Sequence, residues 1–278
     1  MAVSVRKARD FVYGSGTLLE RALFSYLCEN GDLARVHQLL RSYKNPDNGW
    51  GHGLEHDLKC PDSNPAQLEY LLTLSRDVDL PLGDVLEGTP QWLESILNPD
   101  GSLQNPPTLR DYPLAPWWDE WGGQTAPDSI VGNLTRLGMV TPRLAESTRR
   151  WVQENVTLEK IHTTDWLFMN YHYADYFLNV QDFPDGSAYR SATIQNICAC
   201  AEKLPEKQYY VLLQFAPRPD SPLAQELPDH LLPRTLDYLM ETQQDDGHWN
   251  DEHGLPQWSP AVTISVLNAL RSYGRITV

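Results

Sequence analysis

Apolar residues recur at spacings of three and four along most of the chain, and short clusters of Gly, Pro, Asn and Asp separate the runs. Leu19, Ala22, Leu23, Tyr26 and Leu27 form one such stripe behind the capping box Thr17-Leu-Leu-Glu20, and Gly31 marks its end. Asp32 caps a second stripe of Leu33, Val36, Leu39, Leu40 and Tyr43. Four dipeptides set Pro behind a capping residue, at Asn64-Pro65, Thr89-Pro90, Thr141-Pro142 and Ser259-Pro260, and each predicts a helix start. After Asp128 the stripe is Ile130, Leu134 and Leu137 with Gly138 as the stop; after Ser259 it is Val262, Val266, Leu267 and Leu270. Further helices are predicted near 164–179, 191–204, 206–215 and 229–243, about eleven in all. No segment alternates apolar and polar residues between turns, so the chain reads as all-α.

The breaks between helices repeat. Asn45-Pro-Asp-Asn-Gly-Trp50, Asn98-Pro-Asp-Gly-Ser-Leu103 and Gln244-Asp-Asp-Gly-His-Trp249 read as degenerate copies of one Gly-containing turn, with Gly49, Gly101 and Gly247 aligned. Phe183-Pro-Asp-Gly186 is a weaker fourth copy. Helical hairpins repeated in this way close or stack into a curved array, so one domain over 1–278 is expected, with repeats over 17–273. The connections 44–64, 98–127 and 243–259 are long, whereas those at Gly31-Asp32 and from Gly138 to Thr141 are tight. Long loops leading into alternate helices gather at one rim, where a site belongs.

The pairing of Gln244-Asp-Asp-Gly-His-Trp249 with Ser259-Pro260 resembles the turn motif of the squalene-cyclase and protein-prenyltransferase β-subunit repeats. That resemblance implies an (α/α)6 toroid of the terpenoid-cyclase type, acting on an isoprenoid-like apolar substrate in a central aromatic-lined cavity. The chain lacks the Asp-x-Asp-Asp acid motif of the class II cyclases, and Asp57-Leu-Lys-Cys60 does not match the Asp-x-Cys zinc pair of the prenyltransferases. Fold resemblance alone carries no chemistry.

Composition narrows the partners. With 22 Lys and Arg against 37 Asp and Glu the formal charge is −15, a field that repels nucleic acid and anionic membrane surfaces. No apolar run reaches the roughly 20 residues of a membrane span, and the first residues lack a secretory apolar core, so a cytoplasmic protein is expected. The four cysteines show no framework spacing and read as reduced. No phosphate-binding Gly loop, nucleophile motif or Cys-rich metal pattern occurs, and neither cofactor nor metal is expected. The pattern His52-Gly-Leu-Glu55-His56 matches a zinc-protease motif in letters, but Gly51 and Gly53 oppose the helix on which both imidazoles would have to share a face.

The candidate chemistry lies in the long loops. Glu55, Asp57 and Asp119 are expected to converge as proton-donating carboxyls, one of them kept partly protonated by mutual repulsion and by walls of Trp117, Trp118 and Trp121. His52 stands beside the first two. In the segment 165–177, helical spacing sets Asp165, Met169, His172 and Tyr176 on one stripe and Trp166, Asn170, Tyr173 and Phe177 on the next, which suits a helix lining a pocket. Trp166, Asn170, His172 and Trp258 complete the expected binding residues. Three functions fit: an acid-type cyclisation or rearrangement of an isoprenoid, a glycoside hydrolase or lyase with rim carboxylates, and a toroid that binds a ligand or protein without catalysis.

Overall fold

The structure, a computed structural model, describes residues 3–121 and 123–277; the side chains of Asp119, Glu120 and Trp121 lie outside the described residues. It is mostly helical, with thirteen α-helices and two two-residue strands among the described residues. In chain order the helices are α1 (Val5–Ser15), α2 (Leu18–Cys28), α3 (Leu33–Arg41), α4 (Pro65–Val78), α5 (Thr89–Ser95), α6 (Asp128–Arg136) and α7 (Pro142–Asn155). They continue as α8 (Leu158–Thr163), α9 (Tyr171–Phe177), α10 (Gly186–Glu202), α11 (Tyr209–Leu212), α12 (Leu231–Glu241) and α13 (Ser259–Ser272). The strands β1 (Leu103–Gln104) and β2 (Gln124–Thr125) form one antiparallel ladder.

Local chemistry explains several helix starts. Thr17 and Glu20 close a reciprocal capping box on α2, Asn64 accepts from the Gln67 N–H on α4, and Thr141 accepts from the Leu144 N–H on α7. Thr89 and Ser259 depart from the expected capping role, because each is the first residue of its helix, behind Gly88 and Trp258. The Thr89 hydroxyl instead accepts from the Trp50 indole N–H at 3.1 Å and donates to the Asn48 carbonyl. The helix expected over 164–179 is shorter than its pattern: a 3-10 turn occupies Phe168–Asn170 and α9 begins at Tyr171. Asp165 and Trp166 therefore stand off the helical stripes on which spacing placed them.

The three turn copies share one backbone pattern. Residue four of each donates its N–H to the carbonyl of residue one: Asn48 to Asn45, Gly101 to Asn98, Gly247 to Gln244, each at 2.9 Å. Residue one donates in return to the carbonyl of residue five, again at 2.9 Å in all three. The Asp at position three accepts the N–H of residue five in each copy. Residue six, Trp50, Leu103 or Trp249, is buried. The structural equivalent of Gly101 and Gly247 is thus Asn48, not Gly49. Gly49 is required for a different reason, since a Cβ there would meet Ser63 and the Trp92 ring at 2.4 Å.

The chain divides into two compact units. One comprises 1–40, 166–168 and 197–278; here α1, α2 and α13 pack on one another, and α12 packs on α11 and α13. Gln243 ties its turn to the start of α1 by accepting the Ser4 N–H and donating to the Ser4 carbonyl. The other comprises 41–165 and 169–196, in which α6 packs on α4, α7 and α9, and α5 on α7. Its apolar core includes Val152, Val156, Ile161 and the edge-to-face rings of Tyr176, Phe177 and Phe183. Within this unit the loops 44–64 and 98–127 pair: Lys59 donates to the Pro113 carbonyl at 3.0 Å and Ala115 to the Asp57 carbonyl at 2.8 Å. A small cluster of Leu58, Cys60, Ala66 and Leu109, joined by Leu114 and Trp118, fills the space beneath that pairing.

Candidate functional site

The second unit buries a concentration of charge at the meeting of α4, α6 and α9. Gly132 makes the meeting close: a Cβ there would lie 2.1 Å from the Asp175 carbonyl oxygen, so α6 and α9 touch backbone to backbone. On α6, Asp128 and Ser129 recur with Gly132 and Asn133 one turn later, which directs a polar stripe at α9. On α9, His172 and Asp175 stand three residues apart, and on α4 Glu69 and Arg76 stand seven apart, so each pair shares a face.

His172 and Asp128 form the centre. The imidazole Nδ1 lies 2.8 Å from Asp128 Oδ1 and 4.0 Å from Glu69 Oε1. Burial opposes charge on His172, but the charge and hydrogen bond of Asp128, with Glu69 and Asp175 behind it, outweigh burial and raise its pKa to about 9. For Asp128 burial pushes upward, yet the His172 charge, its hydrogen bond and the Ser129 N–H hold the carboxyl below its ordinary value. Near neutral pH this pair is an imidazolium and a carboxylate. Glu69 has a different balance: burial, aided by Asp128 and Asp175, overcomes the pull of His172 and raises its pKa to about 7. Its Oε1 makes no hydrogen bond among the described residues.

Around this centre Asp175 receives hydrogen bonds from Arg76 and, at 2.9 Å, from the Ser129 hydroxyl. Arg76 also reaches Asp77 at 2.8 Å. Burial raises Asp77 to about 6 despite that contact. Tyr171 lies with its ring 4.2 Å from the His172 ring, and burial followed by the Glu69 charge pushes its hydroxyl well above the ordinary range.

The loop before α4 brings in another carboxyl. Glu55 is buried, and burial, then the Asp57 charge, lifts its pKa to about 8, with Glu69 adding a smaller push in the same direction. Its Oε2 accepts the Asp57 N–H at 2.9 Å. Glu55, Asp57, Glu69, Tyr171 and His172 are each 6 to 8% exposed, whereas the neighbouring Gln67, Asn133 and Asn170 are at 0%. The titratable groups of the site are thus almost wholly enclosed by protein.

Several expected site residues stand elsewhere. His52 is exposed at φ 62° and bonds Asn45 across the first turn at 2.8 Å, a local contact of its turn. Asn170 is sealed, accepting from the Asn196 amide at 2.9 Å just before α9. Trp117 is exposed, and Trp118 packs on the small Leu58 cluster. The side chains of Asp119 and Trp121 lie outside the described residues; Glu55 and Asp57 are neighbours on one loop, joined by the Asp57 N–H on Glu55 Oε2. Trp166, exposed and 5.2 Å from the Phe168 ring, and the half-buried Trp258 belong to the other unit. Sequence reasoning missed Glu69, Arg76 and Asp128 as site residues. The available signal was a polar residue recurring at helical spacing inside an apolar stripe, as at Asp128, Ser129 and Asn133. Among the described residues no group of three or more His, Cys, Asp or Glu has a metal-binding arrangement. A concavity of about 330 Å³ lined by Leu227, Leu232, Leu236, Tyr273 and Arg275 lies in the first unit and includes none of these carboxyls.

No protein-family model, curated protein or solved structure matches this chain.

Proposed function

We propose that this chain is an acid–base enzyme in which Glu55 or Glu69 donates a proton beside the His172–Asp128 pair. The observation that carries the reading is the coexistence of two buried carboxyls with pKa values of about 8 and about 7 and an ionised imidazolium–carboxylate pair. A carboxyl half-protonated near neutral pH is matched to proton donation, because it is both present as the acid and strong enough to give the proton up. The imidazolium of His172 then offsets negative charge left on Glu69 or formed on a leaving oxygen. Asp57, on the same loop as Glu55, is the candidate base.

The surroundings favour a hydroxyl-bearing, carbohydrate-like substrate. The Oε1 of Glu69, which makes no hydrogen bond among the described residues, is suited to accept from a hydroxyl, and Glu55 and Asp57 add carboxyl oxygens on the loop before α4. Acid-type cyclisation of an isoprenoid is a second reading, favoured by the shared geometry of the three turns that carry the cyclase resemblance. An (α/α)6 toroid is part of both proposals and draws on the same repeat.

A thermal-shift screen near neutral pH against neutral and acidic oligosaccharides and against prenyl diphosphates and polyprene epoxides separates the two. We expect an oligosaccharide to stabilise the protein and to be turned over, with Glu69→Gln and Glu55→Gln each lowering kcat by about 100-fold or more. Stabilisation and turnover of a polyprene alone would transfer the assignment to the second reading. Wild-type rates in both variants would remove the acid role.

A further inference from the structure

We infer that Gln67 is a positioning residue, which fixes the loop carrying Glu55 and Asp57 to the helix carrying Glu69 and thereby sets the spacing of the carboxyls. The purpose of that spacing rests on the reading given above; the clamp itself does not. Gln67 is fully buried in the first turn of α4. Its Oε1 accepts the Glu55 N–H at 2.7 Å and its Nε2 donates to the Leu58 carbonyl at 2.8 Å. One amide therefore satisfies a donor and an acceptor three residues apart in the loop, which requires a side chain with both functions in one plane.

The opposite side of the loop is held by Ala115 on the Asp57 carbonyl and by Pro113 on the Lys59 N–H. Gln67 supplies the bonds from the helix side. The Asp57 N–H in turn holds Glu55 Oε2, so the carboxylate is oriented by the same backbone that Gln67 grips and moves with it. Glu69 lies two residues farther along α4, on the helix whose first turn makes the grip. Removing the amide would leave the Glu55 N–H and the Leu58 carbonyl buried without partners, a state relieved by lifting the loop into water. Lifted, Glu55 would lose its burial, the largest cause that raises its proton affinity, and the smaller push from Glu69, while the Asp57 charge on the same loop stays beside it.

Hydrogen exchange of the intact protein followed by NMR tests the clamp first. The Gln67 side-chain amide protons and the Glu55 backbone N–H are expected to be protected together, by at least about 100-fold over open amides. Fast exchange of the Gln67 amide in the folded protein would overturn the assignment. Gln67→Leu is then expected to speed Glu55 exchange at least about tenfold while the amides of Leu71 to Ser75 stay protected. In the same variant the Glu55 carboxyl titration, followed by carbon-13 shifts and assigned with Glu55→Gln, should move down toward the ordinary glutamate range. A folded Gln67→Leu with unchanged exchange and titration contradicts the proposal; if that variant does not fold, the exchange measurement on the unaltered protein decides. None of these readouts uses turnover, so loss of the acid–base reading and loss of the clamp are separate results.

Discussion

Asn48, Gly101 and Gly247 occupy one position in three copies of the same turn, with φ values of 68°, 90° and 105°. Asn is among the few residues other than Gly that enter the left-handed region at modest cost, since its short amide suits local hydrogen bonding. Its side chain also lies over Gly88, where an added Cβ would meet Asn48 Cγ at 2.6 Å. Asn48→Gly should therefore change unfolding free energy by less than about 0.5 kcal/mol, the relieved φ offsetting the lost contact. Asn48→Val should cost about 1–2 kcal/mol, because a β-branched side chain is strained at this φ. Urea denaturation of both variants checks the pair; equal stability of the two would mean that the turn is not held at positive φ. The sequence alone aligned Gly49 with the other two glycines. Letter identity pointed one residue away from the backbone equivalence, because the Asn that substitutes for Gly stands beside a Gly needed for packing against Ser63 and Trp92.

At the scale of elements the meeting of α6 with α9 is the most demanding. Gly132→Ala would set a methyl group against the Asp175 carbonyl oxygen, and the helices would have to part. Parting them also strains the Ser129–Asp175 and Asp128–His172 bonds. We expect a loss of about 3 kcal/mol or more and weaker protonation of His172, measured by calorimetry and by the His172 imidazole titration. A variant with unaltered stability and titration would show that the backbones do not approach this closely. Helix starts at Thr17, Asn64 and Thr141 were legible because caps are local chemistry. The truncated start of α9 was not, since the residues 164–170 keep a helical apolar period although 164–167 are irregular and only Phe168–Asn170 forms a 3-10 turn. Glu69 was illegible for another reason: a carboxyl beside Leu68, Leu71 and Leu72 looks like the solvent side of an amphipathic helix, and only the partners on α6 and α9 make it a buried one.

For the whole molecule, the buried titrating groups impose a direction on stability. Glu55 and Glu69 rise from an ordinary 4.5 to about 8 and about 7, so they bind protons more tightly folded than unfolded. Their contribution is fully present below about pH 4.5 and is lost as pH climbs through those folded values. His172, raised from 6.5 to about 9, acts in the same direction: its contribution is complete below about 6.5 and disappears as pH rises through about 9. Asp128 opposes them at the acid end, being depressed, so its contribution fades as pH falls through its folded value. The melting temperature should therefore be highest near about pH 4–5 and decline toward about pH 9, and Glu55→Gln should flatten that decline. A melting temperature that climbs steadily from the acid side to about pH 9 would contradict these assignments. The sequence announced the acidic excess of the chain but not this slope, which depends on which carboxyls are buried and beside whom.

The ladder of Leu103–Gln104 with Gln124–Thr125 closes the base of the segment between them, and residues 113 to 115 are stitched a second time to the loop that carries Asp57. A segment anchored twice in this manner is separable from the scaffold as far as heritable change is concerned. Its outer reach can lengthen, shorten or exchange side chains while the ladder and the stitch keep the carboxyl-bearing loop where it is. Divergence among descendants of this chain would then spare the ladder and the stitch.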